Sequence, residues 1–135
     1  MDGSGANRAD VSVVDNERAF RVMVRNQMFD WVQRVAARRG YDAFGTAEDI
    51  DQVRAAMAEY YDEHDEVLLD AGARSPERFI YDRRAQAVTQ ILHDPDATNE
   101  WQIQARVDVE ASTEAGRAVL ALTSIGRRTT ADLHR

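Results

Sequence analysis

The stretch EWQIQARVDVEA, residues 100–111, decides the fold of this chain. From Trp101 to Val109 every second residue is apolar or small, and the residues between them are polar or charged. This alternation is typical of a β-strand with one buried face, because successive side chains of a strand point to opposite sides of the sheet. We therefore expect the face that carries Trp101 to meet the core and the face that carries Gln102 to point away from it.

The same period of two recurs on both sides of that stretch. RFIYD, AQAVTQILHD and GRAVLALTSIGRR, at residues 78–82, 85–94 and 116–128, predict three further strands. The connections DRR, DPDATN and STEAG are short and have the composition of turns. Strands joined by such short connections pair antiparallel. DAGARSP, residues 70–76, is predicted to be a loop that precedes the sheet.

In the first half of the chain the period is close to 3.6, which predicts helices. One helix is expected to begin at Asp15 or Asn16 and to end at Gly40, a glycine C-cap. Its apolar residues recur at steps of three and four: Phe20, Val24, Met28, Trp31 and Val35. A second helix is expected to run from Thr46, which forms a capping box with the acid three residues later, to about Glu63.

Helices followed by an antiparallel meander indicate an α+β fold. We expect two or three N-terminal helices packed on a curved, mainly antiparallel sheet of about four strands, within one domain at residues 15–128. Residues 1–14 are expected to be a flexible segment, to which Val11, Val13 and Val14 could add an edge strand, and residues 129–135 a tail.

Composition excludes several classes of chemistry. The 135 residues include neither cysteine nor lysine, which excludes disulfides, thiol nucleophiles, a phosphate-binding loop with its lysine, and lysine Schiff bases. A net charge of −7 argues against nucleic acid as the main partner. No apolar run approaches the roughly 20 residues of a membrane span, and the first residues do not resemble a signal peptide. We expect a cytoplasmic protein without a membrane partner.

The densest group of polar side chains is EYYDEHDE, residues 59–66. Together with Trp101, the residues Tyr60, Tyr61 and His64 are the candidates for a ligand-binding pocket, because buried tyrosine and tryptophan need partners for their polar atoms. His64 with Asp62, Asp65 and Glu66 also offers metal ligands, although a solvated helix end explains the same residues. We predict no catalytic residue, no metal site and no cofactor.

Two further groups admit a functional and a structural interpretation. His93 beside Asp94 could form a base, but Asp-Pro-Asp is also a common turn sequence. The arginine clusters Arg34/Arg38/Arg39, Arg83/Arg84 and Arg127/Arg128 could hold phosphate or an acidic partner if they converged in space; otherwise they are solvated surface.

Two long stretches resemble a known family. They are RAFRVMVRNQMFDWVQRVAARRGYDAFG, residues 18–45, and AVTQILHDPDATNEWQIQARVDVEASTEAGRAVLALTSIGR, residues 87–127. The features that match are Arg25-Asn26, Gln90-Ile91, Asp94-Pro95, Trp101, Val107-Asp108, Ala111-Ser112 and Glu114-Ala115-Gly116. The segment is similar to the C-terminal part of a domain of unknown function that follows the motor in some actinobacterial DEAD/DEAH-box helicases. At fold level the chain also resembles the cone-shaped, nuclear transport factor 2-like (cystatin-like) superfamily.

The resemblance implies an accessory domain and transfers neither helicase activity nor any catalytic residue, since this chain has no motor. We expect a non-enzymatic interaction module that forms a homodimer through the outer face of its sheet, with a further protein partner possible. The alternative is a small-molecule binder, or an enzyme of the hydrolase or isomerase type, with a pocket between sheet and helices. A fold alone cannot decide between them.

Overall fold

The computed structural model describes residues 16–129. Two long helices precede a four-stranded sheet, and a short third helix lies between the last two strands. The elements are α1 (Glu17–Ala37), α2 (Ala47–Glu63), β1 (Phe79–Asp82), β2 (Ala87–Ile91), β3 (Trp101–Val107), α3 (Val109–Ala115) and β4 (Leu120–Arg127). The predicted α+β class is confirmed. Within the described residues, no helix is both long enough and apolar enough to cross a membrane.

The cap at the start of α1 agrees with the prediction, and the cap at its end does not. Asn16 accepts a hydrogen bond of 3.2 Å from the backbone N–H of Ala19. At the other end the C-cap is Arg38, in the left-handed conformation with φ of 60°, and Gly40, which is also left-handed with φ of 77°, follows two residues later. The Arg38 guanidinium lies 3.6 Å from the centre of the Tyr61 ring and donates to the carbonyl of Asp65 at 2.8 Å. These contacts offset the roughly 1–2 kcal/mol that a left-handed conformation costs a residue with a Cβ.

Helix α2 begins and ends where the sequence predicts. Thr46 accepts from the backbone N–H of Asp49 at 3.1 Å, and the Asp49 carboxylate accepts from the backbone N–H of Thr46 at 3.0 Å. This reciprocal pair is a capping box. Val53, Met57 and Tyr60 are buried on the side of α2 that faces the core. Between α2 and β1, the predicted loop contains two short 3-10 turns, Ala71–Arg74 and Pro76–Arg78.

The four strands lie in the order in which they occur in the chain, and every neighbouring pair is antiparallel. In this register Ile103 lies between Gln90 of β2 and Ile125 of β4. Alternate residues of β3 are buried, as predicted: Trp101, Ile103, Ala105 and Val107 are at most 3% exposed. Each large side chain buried in this way contributes about 1.5–3 kcal/mol to the free energy of unfolding.

The predicted extension of β3 through Val109 is wrong. The strand ends at Val107, and Asp108 caps helix α3 by accepting a hydrogen bond of 3.0 Å from the N–H of Ala111. The predicted turn STEAG, residues 112–116, is the second half of that helix followed by its C-cap glycine, Gly116, with φ of 71°. The alternation of apolar and polar residues continues into α3 and would also suit a strand. The Asp108 side chain, however, accepts a hydrogen bond from a free N–H group of the first helical turn, and this cap favours the helix.

The outer face of the sheet is only partly exposed. A row of residues crosses all four strands in register, and it consists of Ile80, Thr89, Gln104 and Ser124. Ile80 is 47% exposed. Gln102 points away from the core as predicted, yet it is only 5% exposed. Gln102 and Thr129 line the same shallow depression, so the chain just after β4 passes close to this part of the face.

The expected edge strand at Val11, Val13 and Val14, the flexible segment 1–14 and nearly all of the tail 129–135 lie outside the described residues. They remain predictions.

Candidate functional site

The four residues predicted to line a pocket meet near the end of α2. The Tyr60 ring centre lies 5.0 Å from that of His64 and 5.6 Å from that of Trp101, and Tyr61 packs edge-on against Tyr60 at 5.1 Å. Tyr60, His64 and Trp101 are buried, at 0%, 7% and 1% exposure. The sequence therefore identified residues that do form a cluster, and their rings pack against one another. Their role as a ligand pocket remains a prediction.

The tyrosine hydroxyls of this cluster bind the backbone. Tyr60 donates to the carbonyl of Glu66 at 2.7 Å, and Tyr61 donates to the carbonyl of Val35 at 2.6 Å. Burial raises the pKa of both hydroxyls above the ordinary value for tyrosine. Both hydroxyls are therefore protonated at neutral pH and act as hydrogen-bond donors that fasten the end of α2 to its surroundings.

His64 faces two carboxylates that come from the loop between β2 and β3. Its Nδ1 lies 3.2 Å from an Asp96 oxygen and 3.9 Å from an Asp94 oxygen. These partners are far from it in sequence, whereas the prediction paired it with its neighbours Asp62, Asp65 and Glu66. The Nε2 of His64 is buried and finds no hydrogen-bond partner among the described residues.

Asp94 organises this loop. Its Oδ1 accepts from the backbone N–H groups of Asp96 and Thr98 at 3.0 and 2.9 Å. Its Oδ2 accepts from the Thr98 hydroxyl and the Asn99 N–H at 2.7 and 3.1 Å. Burial alone would raise the pKa of Asp94, but the hydrogen bonds from Thr98 and Asn99 outweigh burial, so the pKa lies below its usual value.

The ligand atoms of His64, Asp94 and Asp96 lie within 4.8 Å of one another, close enough to surround a metal ion. The hydrogen bonding of Asp94 argues against that use. A carboxylate has about four lone-pair positions, and here four donors already occupy them. Only His64 and Asp96 would remain as protein ligands. The contact of His64 with Asp94 and Asp96 instead joins the end of α2 to the β2–β3 loop.

His93 and Asp94, neighbours in sequence, do not form the dyad that was considered. The His93 Nδ1 lies 2.9 Å from the Asp70 carboxylate, while Asp94 is engaged in its own loop. The hydrogen bond from His93 holds the pKa of Asp70 below its usual value. The pair connects the segment before β1 to the end of β2.

The arginine clusters do not gather at one site. Arg34 pairs with Asp30 at 2.8 Å near the end of α1, whereas Arg83 pairs with Glu17 at 3.1 Å at its start. At about 1.5 Å per residue, the length of α1 separates these pairs. Arg127 contacts Glu63 and Glu100 beside Trp101. A common phosphate site of the three clusters is therefore not formed.

The sequence interpretation missed a cavity of about 230 Å³ between the start of α1 and the β1–β2 hairpin. We call it the corner cavity, and its lining consists of Phe20, Tyr81, Arg83, Gln86, Val107 and Val109. A neighbouring depression of about 320 Å³ shares Tyr81 and Arg83 with it and adds Glu17, Arg18 and Arg21. A signal was present in the sequence, because Arg18 and Arg21 are three residues apart and therefore lie on one helix face.

One family matches most of the chain. The model of the family described as Domain of unknown function (DUF3516) covers residues 2–125. Comparison with curated proteins and with solved structures gives no match. The family description names no activity, so a function has to be argued from the residues themselves.

Proposed function

The chain belongs to the family described as Domain of unknown function (DUF3516), and we propose that it is a non-enzymatic accessory module that self-associates through the outer face of its sheet. The observation that carries the proposal is the row of Ile80, Thr89, Gln104 and Ser124 across the four strands. The opposite face of the sheet is covered by the helices, so a second copy can be accommodated on the outer side.

The chemistry of the row suits an interface that retains water. Ser124 donates to the side-chain oxygen of Gln104 at 2.8 Å, and both residues are half-buried. Ile80, 47% exposed, supplies an apolar contact at one end of the row. Polar interfaces with bridging waters are common and are not weak for that reason. Arg106 at the rim of the face adds charge that would set the register of two copies.

The non-enzymatic part of the proposal is supported by how the polar groups are used. The buried carboxylate of Asp94 is saturated by loop donors, and the tyrosine hydroxyls of the α2 cluster donate to backbone carbonyls. A general acid or base needs a proton site that can reach substrate. These groups stabilise the fold instead.

The place of the module beside a helicase motor is a further part of the proposal. It is supported by the resemblance to the segment that follows the motor in DEAD/DEAH-box helicases. The order of helices and antiparallel sheet likewise supports a relation to the nuclear transport factor 2-like cone, a fold that includes interaction modules. Gel filtration of the chain mixed with a purified motor that normally precedes such a domain tests this part, and separate elution would contradict it.

Size-exclusion chromatography with light scattering tests self-association. We expect a dimer at high micromolar concentration. Gln104→Arg should shift the protein toward monomer, because it places a cation within the proposed interface, near the charge of Arg106 at its rim. The matched control is Gln52→Arg on the exposed side of α2, which should remain dimeric. A wild-type protein that stays monomeric throughout the concentration series would refute self-association.

The corner cavity favours a second candidate function, the binding of a small molecule between sheet and helices.

A further inference from the structure

The corner cavity has an apolar floor and a polar rim. Phe20 and Val107, each 3% exposed, form the floor, and the half-buried Tyr81 forms one wall. Arg83 and Gln86 supply the polar groups of the rim. An apolar lining with a few convergent polar groups is typical of small-molecule sites, which usually have volumes of about 300–1,000 Å³. The corner cavity, at about 230 Å³, lies below that range and therefore suits a small ligand.

The depression beside the cavity carries an excess of positive charge. Arg18, Arg21 and Arg83 line the neighbouring depression together with one acid, Glu17. The Arg18 side chain makes no hydrogen bond and no ion pair with any of residues 16–129. This local excess is notable on a chain whose net charge is −7, and it favours an anion at this corner of the molecule.

The Arg21 side chain and the Gln86 backbone at this corner are held by their surroundings; the Gln86 backbone donates to the carbonyl of Arg83 at 3.3 Å and accepts from the N–H of Val107 at 2.8 Å. The Arg21 guanidinium lies 5.7 Å from the ring centres of both Phe79 and Tyr81, a placement that restricts its orientation. Gln86 has a left-handed backbone conformation, with φ of 54°, which a residue with a Cβ adopts at a cost of about 1–2 kcal/mol. Within the described part of the chain its side-chain amide makes no hydrogen bond.

The Arg83 guanidinium already holds a carboxylate. Glu17 approaches it to 3.1 Å, and both side chains are 63% exposed. An exposed pair of this kind contributes little to stability, roughly 0–1 kcal/mol. Another carboxylate can therefore displace Glu17 without a large loss of stability. The planar guanidinium binds carboxylates through two parallel hydrogen bonds, which gives it specificity for this group.

We propose that the corner cavity binds a small organic carboxylate. Its apolar body packs on Phe20 and Val107, and its carboxylate replaces Glu17 on the Arg83 guanidinium. Gln86 donates a further hydrogen bond to the bound carboxylate. The site is separate from the outer face of the sheet, so it does not depend on self-association.

Nuclear magnetic resonance titration of the full-length, isotope-labelled chain tests the proposal, with naphthalene-2-carboxylate as the probe. We expect saturable shifts of the backbone amides of Gln86 and Val107 and of the Gln86 side-chain amide. Naphthalene-2-carboxamide, which has the same apolar body without the charge, should bind at least about tenfold more weakly, because a hydrogen bond to a charged group contributes more than one to a neutral group. Acetate, which lacks the apolar body, should also bind weakly.

Three variants are expected to have different effects on the affinity for the carboxylate. Arg83→Gln should weaken binding of the carboxylate roughly tenfold or more. Arg84→Gln, on the same hairpin but outside the lining, is the matched control and should leave the affinity within about twofold. Glu17→Gln should tighten binding, because it removes the competing carboxylate.

Val109 lines the cavity and is half-exposed, so the larger side chain of Val109→Phe should fill the cavity while Arg83 is retained. It should abolish the shifts, while an unchanged thermal midpoint shows that the chain is folded. Equal affinity for carboxylate and carboxamide, equal effects of Arg83→Gln and Arg84→Gln, or an absence of shifts at Gln86 and Val107 would each overturn the proposal.

Discussion

The Thr98 hydroxyl donates a hydrogen bond of 2.7 Å to the carboxylate of Asp94, which is 0% exposed. This bond is one of four that fix the loop between β2 and β3 around a buried negative charge. The loop then presents Asp96 to His64 at the end of α2. A sequence of turn residues thus becomes a connection between the sheet and the second helix.

Replacing Asp94 tests how much this loop stabilises the fold. Asp94→Asn keeps the size of the side chain but puts an amide NH₂ group against backbone N–H donors. We expect the free energy of unfolding to fall by roughly 2–4 kcal/mol, because a buried polar group loses its partner in a network. Urea denaturation measures the effect. Asp96→Asn is the matched control, since the Asp96 side chain is 71% exposed, and it should cost less than about 1 kcal/mol. Equal losses would contradict the central role of Asp94.

The same carboxylate should make stability depend on pH. The pKa of Asp94 is lowered in the folded protein from its ordinary value of 3.8. Its contribution to stability is therefore fully present above pH 3.8 and is lost as the pH falls through the lower folded pKa. The difference in urea midpoint between the wild type and Asp94→Asn should be constant near neutral pH and shrink at acid pH. A difference that grows as the pH is lowered would show that the sign is wrong.

The helix that replaced the end of the predicted strand offers a third prediction. Ser112 is fully buried, and its hydroxyl oxygen accepts a hydrogen bond of 2.8 Å from the backbone N–H of Val119. Ser112→Ala should cost about 1–3 kcal/mol, because it leaves that N–H without an acceptor. Thermal or urea unfolding measures the loss. Glu114→Ala, exposed on the same helix, should stay within about 0.5 kcal/mol. If the two variants were equally stable, the Ser112 hydroxyl would not support the turn into β4.

Short sequence patterns predicted the helices and strands well where a residue was compatible with only one local structure. Asn16 and Thr46 cap their helices as expected because their side chains reach the free N–H groups of the first turn. Local signals failed where two structures compete for the same pattern. Asp108 is compatible both with an alternating strand and with a helix N-cap, and in the structure it is an N-cap. The helix also places Ser112 where its hydroxyl oxygen accepts a hydrogen bond from Val119, a residue later in the chain.

The polar clusters show why sites were harder to predict than elements. His64 has acidic neighbours on both sides in sequence, but its partners Asp94 and Asp96 come from a loop about thirty residues further on. The corner cavity likewise combines the start of α1 with a hairpin from the second half of the chain. Such pairings follow from the packing of α1 and α2 on the sheet, which no local period encodes.

The alternation in β3, from which the fold was predicted, allows a direct test with two adjacent residues. Ile103 is 0% exposed on the face that meets the helices, whereas Gln104 lies half-buried on the outer face. Ile103→Ala should lower the free energy of unfolding by about 2–5 kcal/mol, because it removes buried apolar area and leaves a cavity. Gln104→Ala should change it by less than about 1 kcal/mol in the monomer, as surface substitutions usually do. Urea denaturation at low protein concentration keeps association out of the comparison. If Gln104→Ala were the more damaging of the two, the sheet would bury the opposite face from the one described, and both the outer-face interface and the corner cavity would be misplaced.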